Sequence, residues 1–426
     1  MIRSSKLSLK FMNTNKRDRY NEFLLDYNHA VQFYINYLWN TEITRNIKDK
    51  QYKWYPSKQM YELPTMLSTT DIQIDTPLSA RALKCAITQS IGIIQSVVRK
   101  YNKKKYVLTK KQKSNTQSIR KLQSFIDKNQ PTKPLINKIE MELNSIVAKL
   151  VDNKTKFDCL LKLSCLGKKY GTIIIPIKYT THSNKLSNMG QVKTSFLFGN
   201  NAVSFRYDIE PIHNTSNVIV GGDIGQTTTL TLSDGNITKP NNHGYDLKLI
   251  NNIMARKKKG SKAFARCQAH RTNYINWSIK QLNLGNYKEI RLESNKNIKK
   301  GRRMSKSLTH WSWKDINNSI TMNAELHDVH VVMQHPTYKS QRCNCCGYVH
   351  KGNRKSKLFK CRHCGYTADA DLNGALNNSI DLPIISRTFM AEKHNTIGFF
   401  WNTTGISLSG EARTVPLTKK HKPIQG

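Results

Sequence analysis

The sequence predicts an α/β protein of several domains, in which a helical and β-rich N-terminal half precedes an α/β C-terminal half. The chain has 426 residues, 38% of them apolar, which suffices for two or three domains that each bury a core. The residue pattern changes near residue 155 and again near residue 216. From residue 216 onward, strand-like runs alternate with long helical segments, as they do in α/β domains.

The first part of the chain predicts one strand and two helices. Residues 5–11, SKLSLKF, alternate polar and apolar side chains, as a strand with one buried face does. Apolar and aromatic side chains then recur at helical spacing between residues 20 and 39. A second helical pattern covers residues 79–101.

Three runs rich in β-branched and aromatic residues follow, separated by Asn and Gly. They are GTIIIPIKY (171–179), VKTSFLF (192–198) and AVSFRYDIE (202–210). Such runs are typical of short strands. They predict a small β domain, either a barrel or a meander, which the N-terminal strand joins.

The charge of the chain indicates a polyanionic partner. Sixty-nine Lys and Arg residues against 28 Asp and Glu residues give a net charge of +41, far more than solubility requires. Nucleic acid is the partner that such a charge suits, and a merely solvated basic surface of the ribosomal kind would imply the same partner. We expect no membrane attachment, because no run of 18 apolar residues occurs and the N-terminus alternates rather than forming a signal-peptide core.

Two basic segments free of acidic residues are candidate phosphate contacts. One follows the second predicted helix, within residues 99–121, and the other is ARKKKGSKAFAR at residues 255–266. The alternative is that both are solvated faces. The candidate nucleic-acid contacts are Lys103, Lys104, Lys105, Lys110, Lys111, Arg256, Lys257, Lys258 and Lys259.

Two Cys-x2-Cys pairs separated by fourteen residues predict a zinc ribbon that holds one structural ion. The four expected ligands are Cys343, Cys346, Cys361 and Cys364. A glycine follows each pair and permits the tight turn that closely spaced ligands need, whereas Cys345 is a spare thiol. A chance cluster of unliganded cysteines is the alternative. Four thiolates close the coordination shell, so this zinc would not activate water.

Three acidic residues are candidate catalytic ligands. Asp223 ends the apolar run NVIVGGD, Glu293 lies in the strand-like run YKEIRLESN, and Asp371 opens a helical pattern. Each alone has an ordinary alternative: a turn, a solvent-facing strand position or a helix cap. Together they can converge at one sheet edge, where clustered carboxylates suit two Mg²⁺ or Mn²⁺ ions. Two such ions hydrolyse phosphodiesters in many nucleases.

Four segments occur in an order that is similar to the TnpB family, the transposon-encoded relatives of type V CRISPR effectors and of Fanzor proteins. They are GGDIGQTTTLTLSDG, IRLESN, HPTYKSQRCNCCGYVHKGNRKSKLFKCRHCG and ADADLNGALN, and they span roughly residues 216–380. The resemblance implies an RNase H-like RuvC nuclease domain with an inserted zinc ribbon of four cysteine ligands. It also implies the acid set Asp223, Glu293 and Asp371, with Asp371 rather than Asp369 as the third member. Gly222 and Gly374 depart from the family's usual residues.

The resemblance also implies a domain layout. A β-barrel (wedge-like) domain would comprise residues 1–14 and 155–215, with a helical recognition domain inserted at 15–154. The RuvC-like domain would cover residues 216–385 and include the zinc ribbon at 336–368. Residues 386–426 would form an irregular polar tail without an assigned role.

The expected function is that of an RNA-guided DNA endonuclease of the transposon-associated kind, with a guide RNA and a double-stranded DNA target as partners. A compact type V CRISPR effector, a guided DNA-binding repressor and an unguided basic nuclease remain alternatives. A repressor derived from these nucleases would be expected to lose at least one of the three acids, and all three are present. We expect a cytoplasmic, nucleoid-associated protein, or a nuclear one if the host is eukaryotic.

Overall fold

A computed structural model describes residues 1–40, 45–46, 53–54, 72–112, 120, 123–125, 128, 130–151, 155–294, 310, 312–385 and 397–407. The chain divides into two compact units, Met1–Glu210 and Pro211–Gly426. The second predicted change in residue pattern, near residue 216, thus falls close to the division between the units. In the described ranges, no helix combines the length and apolar character needed to cross a bilayer.

The described part of the first unit combines three helices with antiparallel strands. In chain order its elements are β1 (Ile2–Ser8), α1 (Thr14–Asn40), β2 (Arg45–Asn46), β3 (Lys53–Trp54), α2 (Ala80–Gln112), β4 (Glu140–Leu143), β5 (Ala148–Val151), β6 (Cys159–Leu163), β7 (Ile173–Ile177), α3 (Thr181–Met189), β8 (Gly190–Val192), β9 (Phe196–Gly199) and β10 (Ala202–Ile209). The larger sheet has the order β1-β10-β9-β4, with β8 also paired to β10, and a second sheet has the order β5-β6-β7.

The long helices of this unit follow from the periodicity of their apolar residues. In α1, the side chains of Phe23, Tyr27, Val31 and Tyr34 recur every three or four residues, and all four are fully buried. The Ser90 hydroxyl of α2 donates to the Val31 carbonyl at 2.9 Å, which joins the two helices. Helix α2 runs to Gln112, eleven residues beyond the predicted end.

The boundary predicted between residues 154 and 155 needs correction. Strand β4 pairs with β9, and β5 pairs with β6, so residues 140–151 belong to the β region rather than to a helical domain. The sequence pattern of β4 is too short to predict a strand. Only Met141 and Leu143 are buried, and two apolar residues do not establish a period. The β region therefore begins at Glu140, and its strands form two separate antiparallel sheets.

Among its described residues, the second unit contains a mixed sheet, four helices and two small sheets. In chain order its elements are β11 (Ile219–Asp223), β12 (Thr231–Leu232), α4 (Leu247–Ala255), α5 (Lys262–Lys280), a 3₁₀ turn (Leu284–Asn286), β13 (Glu289–Glu293), α6 (Trp313–Leu326), β14 (His330–Gln334), β15 (Tyr348–Val349), a 3₁₀ turn (Lys351–Asn353), β16 (Arg354–Lys355), β17 (Leu358–Lys360), β18 (Thr367–Asp369), α7 (Ala370–Ser379), β19 (Phe399–Asn402) and β20 (Gly405–Ser407).

The mixed sheet has the order β12-β11-β13-β14. Strands β11, β13 and β14 are parallel, and β12 pairs antiparallel to β11. Side chains from α4, α5 and α6 form one buried core with strand residues such as Val220, Ile290 and Leu292. Helix α7 packs directly against β11. The α/β pattern expected after residue 216 is confirmed.

The expectation of an irregular tail after residue 385 is wrong for residues 397–407. Strands β19 and β20 form a hairpin, and β19 pairs with β15 of the predicted zinc ribbon, with Val349 opposite Phe399. Phe399 and Trp401 are buried in a small core with Val349. The only sequence signal is the short aromatic run FFW, which is too brief to show a period. Residues 386–396 and 408–426 lie outside the described part of the chain.

Candidate functional site

Two of the three predicted acids lie at the ends of neighbouring parallel strands. Strand β11 ends at Asp223 and β13 ends at Glu293. The register pairs Gly222 with Leu292, so each acid follows a paired residue at the same end of the sheet. Because the carboxyl ends of parallel strands meet at one edge, the two carboxylates share that edge.

The third acid is brought to this edge by the close packing of α7 on β11. At Gly221 a Cβ atom would lie 2.0 Å from the Ala375 carbonyl oxygen, so only glycine lets the helix approach this closely. At Gly374 a Cβ atom would lie 2.9 Å from Asp223 Oδ2, which places this turn of the helix against the first acid. The Asn378 side chain donates to the Gly222 carbonyl at 3.0 Å and fixes the helix along the strand.

The two aspartates at the start of α7 have different positions and different partners. Asp369 is the N-cap: its Oδ1 accepts hydrogen bonds from the backbone N–H groups of Asp371 at 2.9 Å and Leu372 at 3.1 Å. Asp371 therefore does not act as the cap. Its side chain is buried, and Gly225, just past the end of β11, would place a Cβ atom 3.8 Å from Asp371 Oδ2.

Burial and mutual repulsion perturb two of the acids. Burial, and then the charge of Asp371, raise the pKa of Asp223 to about 6. Burial, and then the charge of Asp223, raise the pKa of Glu293 to about 7. Nearby cations oppose both shifts: Arg354 acts on both acids, and Lys357 acts on Asp223. The shifts follow from the placement of the acids at one edge of the sheet, where Asp371 acts on Asp223 and Asp223 acts on Glu293.

Two cations from the zinc ribbon bind Asp371, and sequence reasoning missed both. Arg354 Nη2 lies 3.2 Å from Asp371 Oδ1, and Lys357 Nζ forms an ion pair with Oδ2. Both cations belong to the β16–β17 hairpin. The sequence carried no distinguishing signal for them, because two cations in a chain with 69 Lys and Arg residues do not stand out.

A buried lysine lies near the second acid. Lys339 is only 3% exposed and donates from Nζ to Gln334, which is paired with Glu293 across the sheet. Burial lowers the pKa of Lys339 to about 7, while the charges of Glu293 and Asp381 oppose that shift. This cation was also missed, and its place after β14 gives it no periodic signal.

The three acids fit divalent cations by their chemistry. They provide hard oxygen ligands and are partly or fully buried. Because the pKa values of Asp223 and Glu293 are raised despite the nearby cations, a divalent ion bound to these oxygens would stabilise their charged forms. In the described part of the chain, the carboxylate oxygens of the three acids do not all lie within 4.8 Å of one another. The only group of three or more metal-binding side chains there with ligand atoms within 4.8 Å of one another is a set of cysteines.

The cysteine set consists of the four predicted zinc ligands. The Sγ atoms of Cys343 and Cys364 lie 3.7 Å apart, as do those of Cys346 and Cys361. A tetrahedral site with Zn–S bonds of about 2.3 Å has sulfur atoms roughly 3.8 Å apart, so the cluster fits zinc. Cys345 is exposed and lies outside the cluster.

Glycines shape both turns of this cluster. Gly347 and Gly365 adopt φ angles of +78° and +75°, which L-residues rarely adopt. Each glycine follows its Cys pair and lets the chain turn back at the ligands. The glycine signal in the sequence therefore reports the local geometry of the ribbon.

Arg342 ties the ribbon to both α7 and the C-terminal hairpin. Its guanidinium is buried and donates to the Trp401 carbonyl at 2.7 Å and to Asn377 Oδ1 at 2.6 Å. The Asn377 side chain in turn donates to the Arg342 carbonyl at 2.7 Å. The residue before the first predicted zinc ligand thus fixes the helix that carries Asp371.

The predicted nucleic-acid contacts fall on two surfaces, one in each unit. Lys103 and Lys104 are exposed on α2, and Lys104 lies over the Phe125 ring at 4.5 Å, while Lys105 is half-buried. The side chains of Lys110 and Lys111 lie outside the described part. Arg256, Lys257, Lys258 and Lys259 are all exposed between α4 and α5. The roles of these residues in nucleic-acid binding stay predictions.

Parts of the sequence match known proteins. Residues 313–378, which include the zinc ribbon and Asp371, match the family described as Cas12f1-like, TNB domain. The CRISPR-associated endodeoxyribonuclease Cas12f1 of Sulfoacidibacillus thermotolerans is 43% identical over 77 residues, 18% of each chain. InsQ of Escherichia coli (strain K12), whose name describes an RNA-guided DNA endonuclease, is 26% identical over 199 residues, 39% of this chain and 49% of InsQ. The chain covers less than half the length of either relative.

Solved structures share the fold at low sequence identity. The mini-RNA-guided endonuclease CRISPR-Cas_phi3 superimposes with a TM-score of 0.51 at 10% identity, over 89% of this chain and 92% of that one. CasPhi-2 bound to crRNA gives a TM-score of 0.51 at 9% identity, over 90% of this chain and 99% of that one. The mixed α/β multidomain fold is therefore similar to the folds of these two structures. Residues 313–378 are thus similar to the Cas12f1-like TNB domain, and the sequence is similar to Cas12f1 and InsQ, which supports a TnpB-like relationship.

Proposed function

We propose that this protein is an RNA-guided DNA endonuclease that uses two divalent ions held by Asp223, Glu293 and Asp371. The observation that carries the proposal is the convergence of these acids at one end of the β11–β13 pair, with α7 packed on β11. Three separate sequence segments deliver them, so their meeting is not a local accident. Bound Mg²⁺ or Mn²⁺ would supply a nucleophilic water and stabilise the leaving oxygen of a phosphodiester.

The chain's own residues would hold the reacting groups in place. Asp223 and Glu293 extend from rigid parallel strands, and the Asp369 cap fixes the first turn of α7, so that all three carboxylates are held before substrate binds. Burial at this edge limits access of bulk water, which strengthens the interaction of the carboxylates with a cation. Zinc would serve the ribbon's fold and take no part in hydrolysis, since four thiolates complete its coordination shell.

Nucleic-acid partners are supported by charge and by relatives. The net charge of +41 suits a channel that holds a guide RNA and its DNA target by their backbones. The names of InsQ and of the structural neighbours describe RNA-guided endonucleases or complexes with crRNA. We infer that this chain binds a guide RNA and cleaves the DNA that pairs with it. Its origin in a transposon or a CRISPR locus is a separate matter, which the neighbouring genes decide.

Sequencing of copurifying RNA tests this proposal. The protein is expressed with its native flanking DNA and purified in high salt, and the bound RNA is sequenced. We expect one RNA species with a constant region and a variable end, and cleavage of a plasmid that carries the complement of that end. Random RNA with unguided cleavage would indicate an unguided nuclease, and guided binding without cleavage in Mg²⁺ would indicate a repressor.

A further inference from the structure

Asp371 is a proposed metal ligand whose carboxylate is already bound by two cations of the zinc ribbon. Arg354 Nη2 lies 3.2 Å from Oδ1, and Lys357 Nζ pairs with Oδ2. The Asp371 side chain is 8% exposed, whereas the Arg354 and Lys357 side chains are 31% and 49% exposed. The buried partner is thus fixed, and the more exposed partner, Lys357, is free to leave.

A divalent ion and the Lys357 ammonium compete for Oδ2. The oxygen has more than one lone pair, but two cations in contact with the same oxygen repel each other. An ion that binds Asp371 through Oδ2 would therefore weaken the Lys357 contact and favour its displacement. The lysine side chain can move without the backbone, because four rotatable bonds separate its ammonium from Cα.

The displaced ammonium would stay beside the site. The Lys357 carbonyl accepts a hydrogen bond from the Ala370 N–H at 2.8 Å, and the next residue, Leu358, pairs with Asp369. Phe359 is fully buried in the ribbon core with Cys361, a zinc ligand. The backbone of Lys357 is therefore held one residue from Asp371, and only its side chain can swing toward solvent.

We propose that Lys357 exchanges partners: it binds Asp371 in the metal-free protein and a backbone phosphate of the nucleic-acid strand once a divalent ion occupies the site. The inference rests on the proposed function, since it takes Asp371 as a ligand and a phosphodiester as substrate. Lys357 would therefore lower the affinity of Asp371 for the metal ion before substrate binds, and would hold the substrate phosphate once the ion is bound. Metal binding would therefore be more favourable when a nucleic-acid strand is present, because its phosphate offers Lys357 a new partner.

The metal step is tested without nucleic acid, on the full-length zinc-loaded protein. Mn²⁺ binding is measured by calorimetry for wild type, K357M, K357R and K355M. Lys355 lies two residues earlier on the same hairpin and is exposed, and among the described residues the ion pairs of Asp371 are those with Arg354 and Lys357. K355M thus removes an equal charge without removing the contact.

We expect K357M to bind Mn²⁺ about three- to tenfold more tightly than wild type, because a half-exposed competing charge is lost. K357R and K355M should remain near wild type. Equal Mn²⁺ affinity in K357M and wild type would overturn the exchange. If D371N binds Mn²⁺ as wild type does, the assignment of Asp371 as a ligand fails instead, and with it the proposed function. Zinc content and thermal stability of each variant establish that it is folded, and K357Q serves as a second neutral variant.

The phosphate step is tested in the guide-loaded protein at saturating Mn²⁺. Single-turnover cleavage of a matched target should slow about three- to tenfold in K357M, although metal binding is tighter, and K357R should restore the rate. Opposite changes in metal affinity and rate are the signature of partner exchange. A tighter metal site with an unchanged rate would overturn the phosphate role, because a lysine that only blocks the metal would leave the saturated rate untouched.

Discussion

Replacement of Gly221 by alanine tests whether the approach of α7 to β11 builds the site. A Cβ atom at this position would lie 2.0 Å from the Ala375 carbonyl oxygen, 2.3 Å from the Ser379 nitrogen and 2.7 Å from the Asn378 carbonyl carbon. All three are backbone atoms and cannot rotate away. To restore an ordinary contact of at least about 3.4 Å, the helix must retreat by roughly 1.4 Å.

Such overpacking costs about 1–3 kcal/mol in typical cores. For a unit of this size, that cost corresponds to a fall in the unfolding temperature of roughly 2–12 °C. The retreat also carries Asp371 away from Asp223, so cleavage should fall more than stability predicts. Scanning calorimetry measures the first effect, and single-turnover cleavage well below the unfolding temperature measures the second.

The neighbouring glycine provides a matched control. A Cβ atom at Gly222 points to the opposite face of the strand, where it would meet the Leu292 Cδ2 atom at 2.7 Å and the Leu230 Cδ1 atom at 3.0 Å. These are ends of flexible apolar side chains that can shift. Gly222→Ala should therefore cost less than about 1.5 kcal/mol and keep most activity. Equal stability and equal cleavage in the two variants would refute the packing argument.

Three further predictions concern the cap, the zinc site and pH. Asp369→Ala should lower the free energy of unfolding by about 0.5–2 kcal/mol through loss of the helix cap, while Asp369→Asn keeps the cap. Thermal unfolding of the two variants separates a capping role from a metal-binding role, because neither variant would keep a metal-binding carboxylate. Cys361→Ser should lose zinc and destabilise the second unit, because ligation and folding are coupled, whereas Cys345→Ser should retain zinc. Elemental analysis measures the zinc content of both variants, and the reverse result would reassign the ligands. Glu293 and Asp223, with pKa values raised to about 7 and about 6, bind protons as pH falls, and an incoming ion must displace them. The Mn²⁺ dissociation constant should therefore rise at least about tenfold from pH 8 to pH 6, and a calorimetric value that does not change with pH would contradict the burial of these acids.

The sequence predicted the parts of the site that short-range chemistry encodes. Asp223 and Glu293 follow apolar runs at strand ends, and the spacing of Cys343 and Cys346 follows from tetrahedral ligation. What it missed depends on tertiary packing. Lys357 binds Asp371 because the ribbon folds back on α7, and no pattern in a highly basic chain marks that contact.

The same limit explains the missed strands. Strands β4 and β19 have four residues each, and each is stabilised by pairing with a strand distant in sequence. A four-residue run gives at most two inward side chains, which is too few to establish a period. The long helix α1, by contrast, repeats its apolar pattern over several turns and was predicted from that pattern.

Single-turnover cleavage by Asp371→Asn, with target binding measured in parallel, is the sharpest test of whether the three acids hold the catalytic ions. The RNA that copurifies with the protein supplies the guide, and a duplex matching its variable end is the target. The substitution keeps the size of the side chain and removes the charge that would hold the ion. We expect Asp371→Asn to retain guide and target binding but to lose cleavage in Mg²⁺ by at least about a hundredfold. Cleavage at the wild-type rate by a folded, zinc-loaded Asp371→Asn protein would contradict this expectation.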